Sequence, residues 1–205
     1  MRWTALVLVV SLFGFVAPAR ADDHPPATHQ GQFGLSVRLG LGVRGIATYN
    51  SDYCGVLDNT AKNGNAPVCT GREPFAIDLE PSYGIAKAIE LVLGFHFGVE
   101  SDFGPTAATD GPHAFRIEPG ARFFFSEAGH SKLFVQPALV IDFTNFQKPG
   151  GASYGTDIGV RALEGYWLDL HRAYGFYAFV GETAEFSRWL SADLDFGIGF
   201  QGRYP

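Results

Sequence analysis

The chain is poor in sulfur and in basic charge, and it lacks a long apolar run. Two cysteines and one methionine occur in 205 residues. Cys54 and Cys69 are too few for a disulfide framework and have no metal-type spacing. Fifteen Lys and Arg stand against 21 Asp and Glu, for a formal net charge of −6, which argues against a nucleic-acid partner. The longest apolar stretch, Ala5 to Val16, falls short of the ~20 residues a spanning helix needs. Met1-Arg2 precede it and Ala19-Arg20-Ala21 follow, which is the order of a secretory signal peptide cleaved after Ala21. An uncleaved anchor is the alternative. In an exported chain Cys54 and Cys69 are expected to be oxidised to each other, a staple worth about 3 kcal/mol in the chain-entropy model.

What is abundant is glycine, at 26 residues, and phenylalanine, at 19, without long helical stretches. The expected organisation is a signal peptide over 1–21, a flexible leader over 22–30 and one barrel domain over 31–205. His24 and His29 fall in the leader and are read as part of a flexible tail.

From Gly31 onward the pattern has period two. Phe33, Leu35, Val37, Leu39, Leu41 and Val43 form one face of the first strand, with Gly34, Ser36, Arg38, Gly40, Gly42 and Arg44 on the other. That apolar face runs for about 11 residues, the length of a tilted bilayer-crossing strand. The alternation recurs over 75–85, 89–100, 115–125, 133–144 and 190–204. Two further strands, roughly 156–170 and 175–184, alternate less cleanly, and their faces are not assigned. Pro81, Pro119 and Pro137 interrupt strands in a matching frame and are read as bulges or as sites where a ladder hydrogen bond is forgone.

The polarity of the faces selects the barrel type. A soluble barrel keeps apolar side chains inside and mixes Lys, Glu, Thr and Ser outside. Here the bulky, uncharged face suits the outside, and the face of Gly, Ala, Ser and paired charges suits a narrow interior, an arrangement stable in lipid. Long links (48–72, 101–113, 147–155) alternate with short ones (86–88, 126–131, 171–174), and Tyr49, Phe103, Phe146, Tyr166, Trp167, Trp189 and Tyr204 are placed as an interfacial girdle. The fold expected is all-β: an eight-stranded antiparallel up-and-down transmembrane barrel.

The inward charges form the expected lumen network: Arg38, Arg44, Asp78, Glu80, Glu90, His96, Glu100, Arg116, Glu118, Arg122, Asp193, Asp195 and Arg203. A hairpin register pairing Tyr49 with Glu73 sets Arg44 opposite Asp78, and a similar count sets Glu100 beside Arg116 and Glu90 near Arg122. Isolated burial of such charges costs several kcal/mol, so they are expected to pair. The network reads as a salt-bridged plug, with a gate or narrow conduit as the alternative. His130-Ser131 are adjacent and so face apart, and His171 has no serine two residues away, so no nucleophile–base pair is present. Asp58, Asn59, Asn63 and Asn65 lack a regular calcium-ligand spacing. No enzyme, cofactor or metal is expected.

With these strands laid out, the stretch from Gly31 to Tyr204 resembles the small bacterial outer-membrane barrels that include the OmpA transmembrane domain, OmpX and OmpW. The family's C-terminal assembly signal, alternating apolar residues with a terminal aromatic, is matched by Phe196, Ile198, Phe200 and Tyr204; Pro205 departs from it. The resemblance implies residence in outer-membrane lipid and insertion from the periplasm by the barrel assembly machinery, and it assigns no binding or catalytic residue. The expected role is structural or surface-interactive, in a monomer whose loop 48–72 projects outward toward an extracellular ligand. A narrow channel is the alternative, and a lipid-modifying enzyme ranks below both.

Overall fold

The computed structural model describes residues 28–47, 68–101, 113–126, 129–144, 155–187 and 189–204. Eight strands follow one another: β1 Phe33–Ala47, β2 Val68–Ala86, β3 Ile89–Ser101, β4 His113–Phe124, β5 Ser131–Asp142, β6 Asp157–His171, β7 Tyr174–Glu185 and β8 Leu190–Tyr204. Each pairs antiparallel with the next, and β8 closes on β1 to complete a barrel. Closure leaves no open edge, so every strand finds ladder partners on both sides.

The residues sort by period two, because successive side chains in a strand point to opposite faces. Along β1, Leu35, Leu39, Leu41 and Val43 are exposed outside, whereas Ser36, Arg38 and Arg44 are buried inside. The same division holds around the wall: Leu91, Leu93, Leu133, Leu139, Phe176, Phe196 and Ile198 face out, and most fully buried side chains are charged or amide. This is the inverse of a water-soluble core. Such a wall is stable against hydrocarbon, where apolar side chains meet no water and the lumen keeps the ions.

Three sequence expectations are corrected. The first long link is shorter than 48–72, because β2 begins at Val68 and pairs its first residues with Ala47, Ile46 and Gly45. The β1–β2 register shifts between Gly40 and Gly42, which lie opposite Ala76 and Glu73. A bulge at Pro74-Phe75 thus carries the extra residue that a straight count from Glu73 omits. Trp167 and Trp189, assigned to the girdle, are 0% and 3% exposed, while Tyr166 and Tyr204 do face out. The register is unchanged on either side of Pro81, Pro119 and Pro137. These prolines forgo a hydrogen bond and do not make bulges.

The two strands whose faces the pattern left open now have them. On β6, Asp157, Arg161, Leu163, Trp167 and Asp169 point inward; on β7, Tyr177, Phe179, Thr183 and Glu185 do. Large aromatics on the inner face, and glutamates on the outer one, obscure the alternation.

Candidate functional site

The candidate site is the lumen itself, and it is filled in three tiers. At the end carrying the long links, Arg44 and Asp193 face each other across the β1–β8 seam. Arg44 grips Asp193 with two bonds, Nε to Oδ1 at 2.8 Å and Nη2 to Oδ2 at 2.9 Å. Arg116, from β4 across the lumen, donates to the same carboxylate at 2.8 Å and approaches Glu185 at 3.0 Å and Glu73 at 3.4 Å.

In the middle tier Arg38 meets Asp78 at 3.0 Å, Glu80 at 3.2 Å and Glu118 at 3.4 Å. Arg161, on β6, donates to Glu118 at 2.8 Å and Asp195 at 2.5 Å. His96 Nδ1 lies 2.7 Å from Asp78. Each guanidinium therefore serves carboxylates from several strands, an arrangement its planar fork of donors suits.

The third tier lies toward the termini. Arg122 donates to Gln136 at 2.9 Å, to Glu90 at 2.8 Å and to Glu80, and Gln136 donates in turn to Glu80 at 2.6 Å. An aromatic wedge of Phe124, Phe134, Trp167, Tyr177 and Phe179 packs beside it. The Arg122 guanidinium lies 4.9 Å from the centre of the Trp167 ring, which itself stacks on Tyr177 at 4.6 Å. The wedge fits because β8 presents Gly197 and Gly199 there; a Cβ on either would overlap the Phe179 or Tyr177 ring.

Residues 28–32 complete the closure. Instead of continuing as a free leader, they turn into the barrel mouth, and His29 is 0% exposed. Its imidazole meets Glu90 and Arg203, lies 3.3 Å from Asp169 and 3.3 Å from Lys132, and packs edge-on to Phe124. The expectation of a flexible tail is thus corrected for His29; His24 lies outside the described residues. The reason is polar complementarity: Glu90, Asp169, Lys132 and Arg203 converge at this mouth, and the leader supplies one more hydrogen-bonding partner to them. Gly31 makes the turn at φ +77°, a left-handed conformation glycine adopts freely.

Arg38, Arg44, Asp78, Glu80, Glu90, His96, Arg116, Glu118, Arg122, Asp193, Asp195 and Arg203 are all buried within the barrel. Their pairings differ in part from those the sequence suggested. Arg38, not Arg44, lies opposite Asp78, because β2 starts at Val68 and Glu73 pairs with Gly42 and not with Tyr49; the bulge alters that shift by only one residue. Arg116 lies opposite His96; the side chain of Glu100 lies outside the described residues. Glu90 does face Arg122. Sequence reasoning missed Glu73, Lys132, Asp142, Asp157, Arg161, Asp169 and Glu185, all buried. Asp157, Arg161 and Asp169 lay in a segment with unassigned faces, and Glu185 lay just past the expected end of the seventh strand. Cys54 and the side chain of Cys69 fall outside the described residues, as does most of the loop between them. Among the described residues no His, Cys, Asp and Glu group is arranged to hold a metal ion.

The new register carries a prediction. Arg44→Ala and Asp193→Ala should be non-additive in urea unfolding, with a coupling of about 0.5–3 kcal/mol, because each single change strands a charge. Arg44→Ala and Asp78→Ala, whose positions are separated by about 20 Å of strand, should add within about 0.5 kcal/mol. Equal coupling for both pairs would contradict this register.

The fold defines a class: small, closed, eight-stranded antiparallel barrels with an apolar exterior and a filled, charged interior. Solved barrel structures superpose on 83–84% of the chain. The N-terminal β-barrel domain of Pseudomonas aeruginosa OprF matches with a TM-score of 0.51 and 11% identity, over 84% of this chain and 98% of that one. Neisserial surface protein A gives 0.50 and 13%, over 83% and 98%. Ail, the attachment invasion locus protein of Yersinia pestis, gives 0.50 and 12%, over 84% and 99%. At these identities the likeness is one of fold. No family model and no curated protein sequence matches the chain.

Proposed function

We propose that the chain is a non-enzymatic barrel of the bacterial outer membrane, closed along its axis and serving a structural or surface-interaction role. The observation that carries this reading is the inverted polarity: an apolar wall outside and a lumen packed with multiply bonded arginines and carboxylates inside. Eight strands leave an interior just wide enough for side chains, and here those side chains, with His29 below them, occupy it. The barrel thus has the character of a post through the membrane, with activity assigned to its exposed end.

On this reading residues 1–21 direct export and are removed after Ala21, and Cys54–Cys69 staple the outward loop. Phe196, Ile198, Phe200 and Tyr204, on the outer face of β8, are presented to the assembly machinery. Two of the structural neighbours are named as a surface protein and as an attachment invasion locus protein, which supports a role for the outward end of this monomer in contact with an extracellular ligand.

The test is direct. The chain should fractionate with outer membranes, stay folded in cold SDS and shift its gel mobility on heating. Purified in planar bilayers it should give no discrete conductance steps. Reproducible steps would replace this reading with the narrow-channel one, and failure to shift would count against a closed barrel.

A further inference from the structure

The outer wall carries two carboxylates where lipid should be. Glu164 is the middle residue of β6 and Glu182 lies on the adjacent β7; both point outward and are exposed. Glu164 pairs with Val180, and Glu182 with Ala162, so the two glutamates are diagonal neighbours on one face. Apolar residues flank them toward both ends of the barrel: Ile158 and Val160 on one side, Leu168 and Phe176 on the other. Neither belongs to the polar rim. Among the described residues no cation meets either carboxylate.

Three of the outward side chains around Glu182 are alanines, although Leu194 lies directly opposite it on β8 and Val180 stands beside it on β7. Ala162 lies directly opposite Glu182, Ala184 is two residues along β7, and Ala192 is diagonal to it on β8. Small residues on a membrane face allow another backbone to approach closely. An ionised group in that face is costly, most so at mid-depth, and ordinarily has a partner.

We propose that the outer face of β6 and β7 is an interface with a second membrane-embedded protein, which brings a Lys or Arg side chain to Glu164 and Glu182. The charge selects the occupant. A second copy meeting this one through the same face would gather four carboxylates, and an acyl chain offers them nothing. The inference rests on the outer-membrane reading above but concerns a surface that reading leaves to lipid.

The experiment compares the full chain with E164Q/E182Q in two settings, native outer membranes and phosphatidylcholine vesicles containing no other protein. In vesicles the variant should raise the temperature of the SDS heat shift by about 3 °C or more, because two charges leave hydrocarbon. In native membranes the same variant should lower it, because the partner's cation is stranded. A photo-cross-linking residue at Val180 should give an adduct with a different protein. Its yield should fall roughly tenfold in E164Q/E182Q and persist in E164D/E182D. Cold-SDS mobility verifies that each variant is folded, and E182Q alone should show the same signs at smaller size. A rise in both settings, an adduct insensitive to the glutamates, or an adduct between two copies would overturn the proposal. So would EDTA reproducing the variant's effect, which would assign the site to a divalent ion bridging to lipid phosphate. Absence from the outer-membrane fraction would remove the outer-membrane reading and this interface together; the other adverse results remove the interface alone.

Discussion

Arg122→Ala should destabilise the barrel by about 3–5 kcal/mol, read as a lowered urea midpoint in detergent micelles. Arg122 is fully buried on β4, and its guanidinium satisfies Glu90, Glu80 and Gln136 at once. It also lies over the rings of Trp167, Tyr177 and Phe134. Alanine removes the cation and leaves the buried carboxylates of Glu90 and Glu80 without that partner. Removing one member of a buried ion pair is costly mainly because the other is stranded. Glu80 would keep Arg38 at 3.2 Å and Gln136, and Glu90 would keep His29 and Gln201, but both lose their bond to this guanidinium. Arg122→Lys should fall between, since an ammonium keeps the charge but cannot reproduce the fork of donors. Arg122→Met combined with Glu90→Gln should recover part of the deficit, a non-additive result. A single alanine variant within about 1 kcal/mol of wild type would show that water enters this tier and solvates the carboxylates.

The elements themselves were legible because a two-sided environment writes itself into period two. Wherever one face meets hydrocarbon and the other a narrow polar lumen, each position is constrained in size and charge, and β1, β3 and β8 follow that rule along most of their length. β6 and β7 do not. Their inner faces carry Leu163, Trp167, Tyr177 and Phe179; Tyr177 and Phe179 pack against Gly199 and Gly197 of β8, and Leu163 and Trp167 against Gly181 and Gly175 of β7. Their outer faces carry Glu164 and Glu182. Apolar residues inside and acids outside cancel the contrast from which faces are read.

The site was legible as a set of inward charges but not as a set of pairs. Pairing depends on register, and here Glu73 pairs with Gly42 and not with Tyr49, with a one-residue change at the Pro74-Phe75 bulge. Arg44 binds Asp193 across the barrel seam, a contact 149 residues apart in the chain that the β1–β8 register sets. Barrel closure alone sets Asp193, Asp195 and Arg203 on the strand beside Arg38 and Arg44, as the sequence suggests, and the seam register then selects Asp193 for Arg44. His29 escaped for a different reason. It lies outside any alternating segment, in a Pro-containing leader whose composition resembles a free tail, and its place is determined by carboxylates on β3 and β6.

Gly84→Val tests that last placement and should cost about 2–4 kcal/mol. Gly84 faces inward on β2, where a Cβ would overlap the carbonyl of His29. The obstacle is backbone, so no rotamer change relieves it. The Gly31 amide donates to the Gly84 carbonyl at 2.8 Å, and the Gly84 amide donates to the Gln32 carbonyl at 3.0 Å. Valine should force this turn out of the mouth, breaking both bonds and withdrawing the imidazole from Glu90 and Asp169. His29→Ala removes the imidazole yet leaves the turn seated, so it should cost less than Gly84→Val. Once the turn is displaced the side chain at 29 no longer matters, and the double variant should be no less stable than Gly84→Val alone. Hydrogen exchange at the Gly31 amide reports the displacement directly: protected in wild type and His29→Ala, rapidly exchanging in Gly84→Val. Protection retained in Gly84→Val, with an unchanged urea midpoint, would mean that the leader does not occupy the lumen.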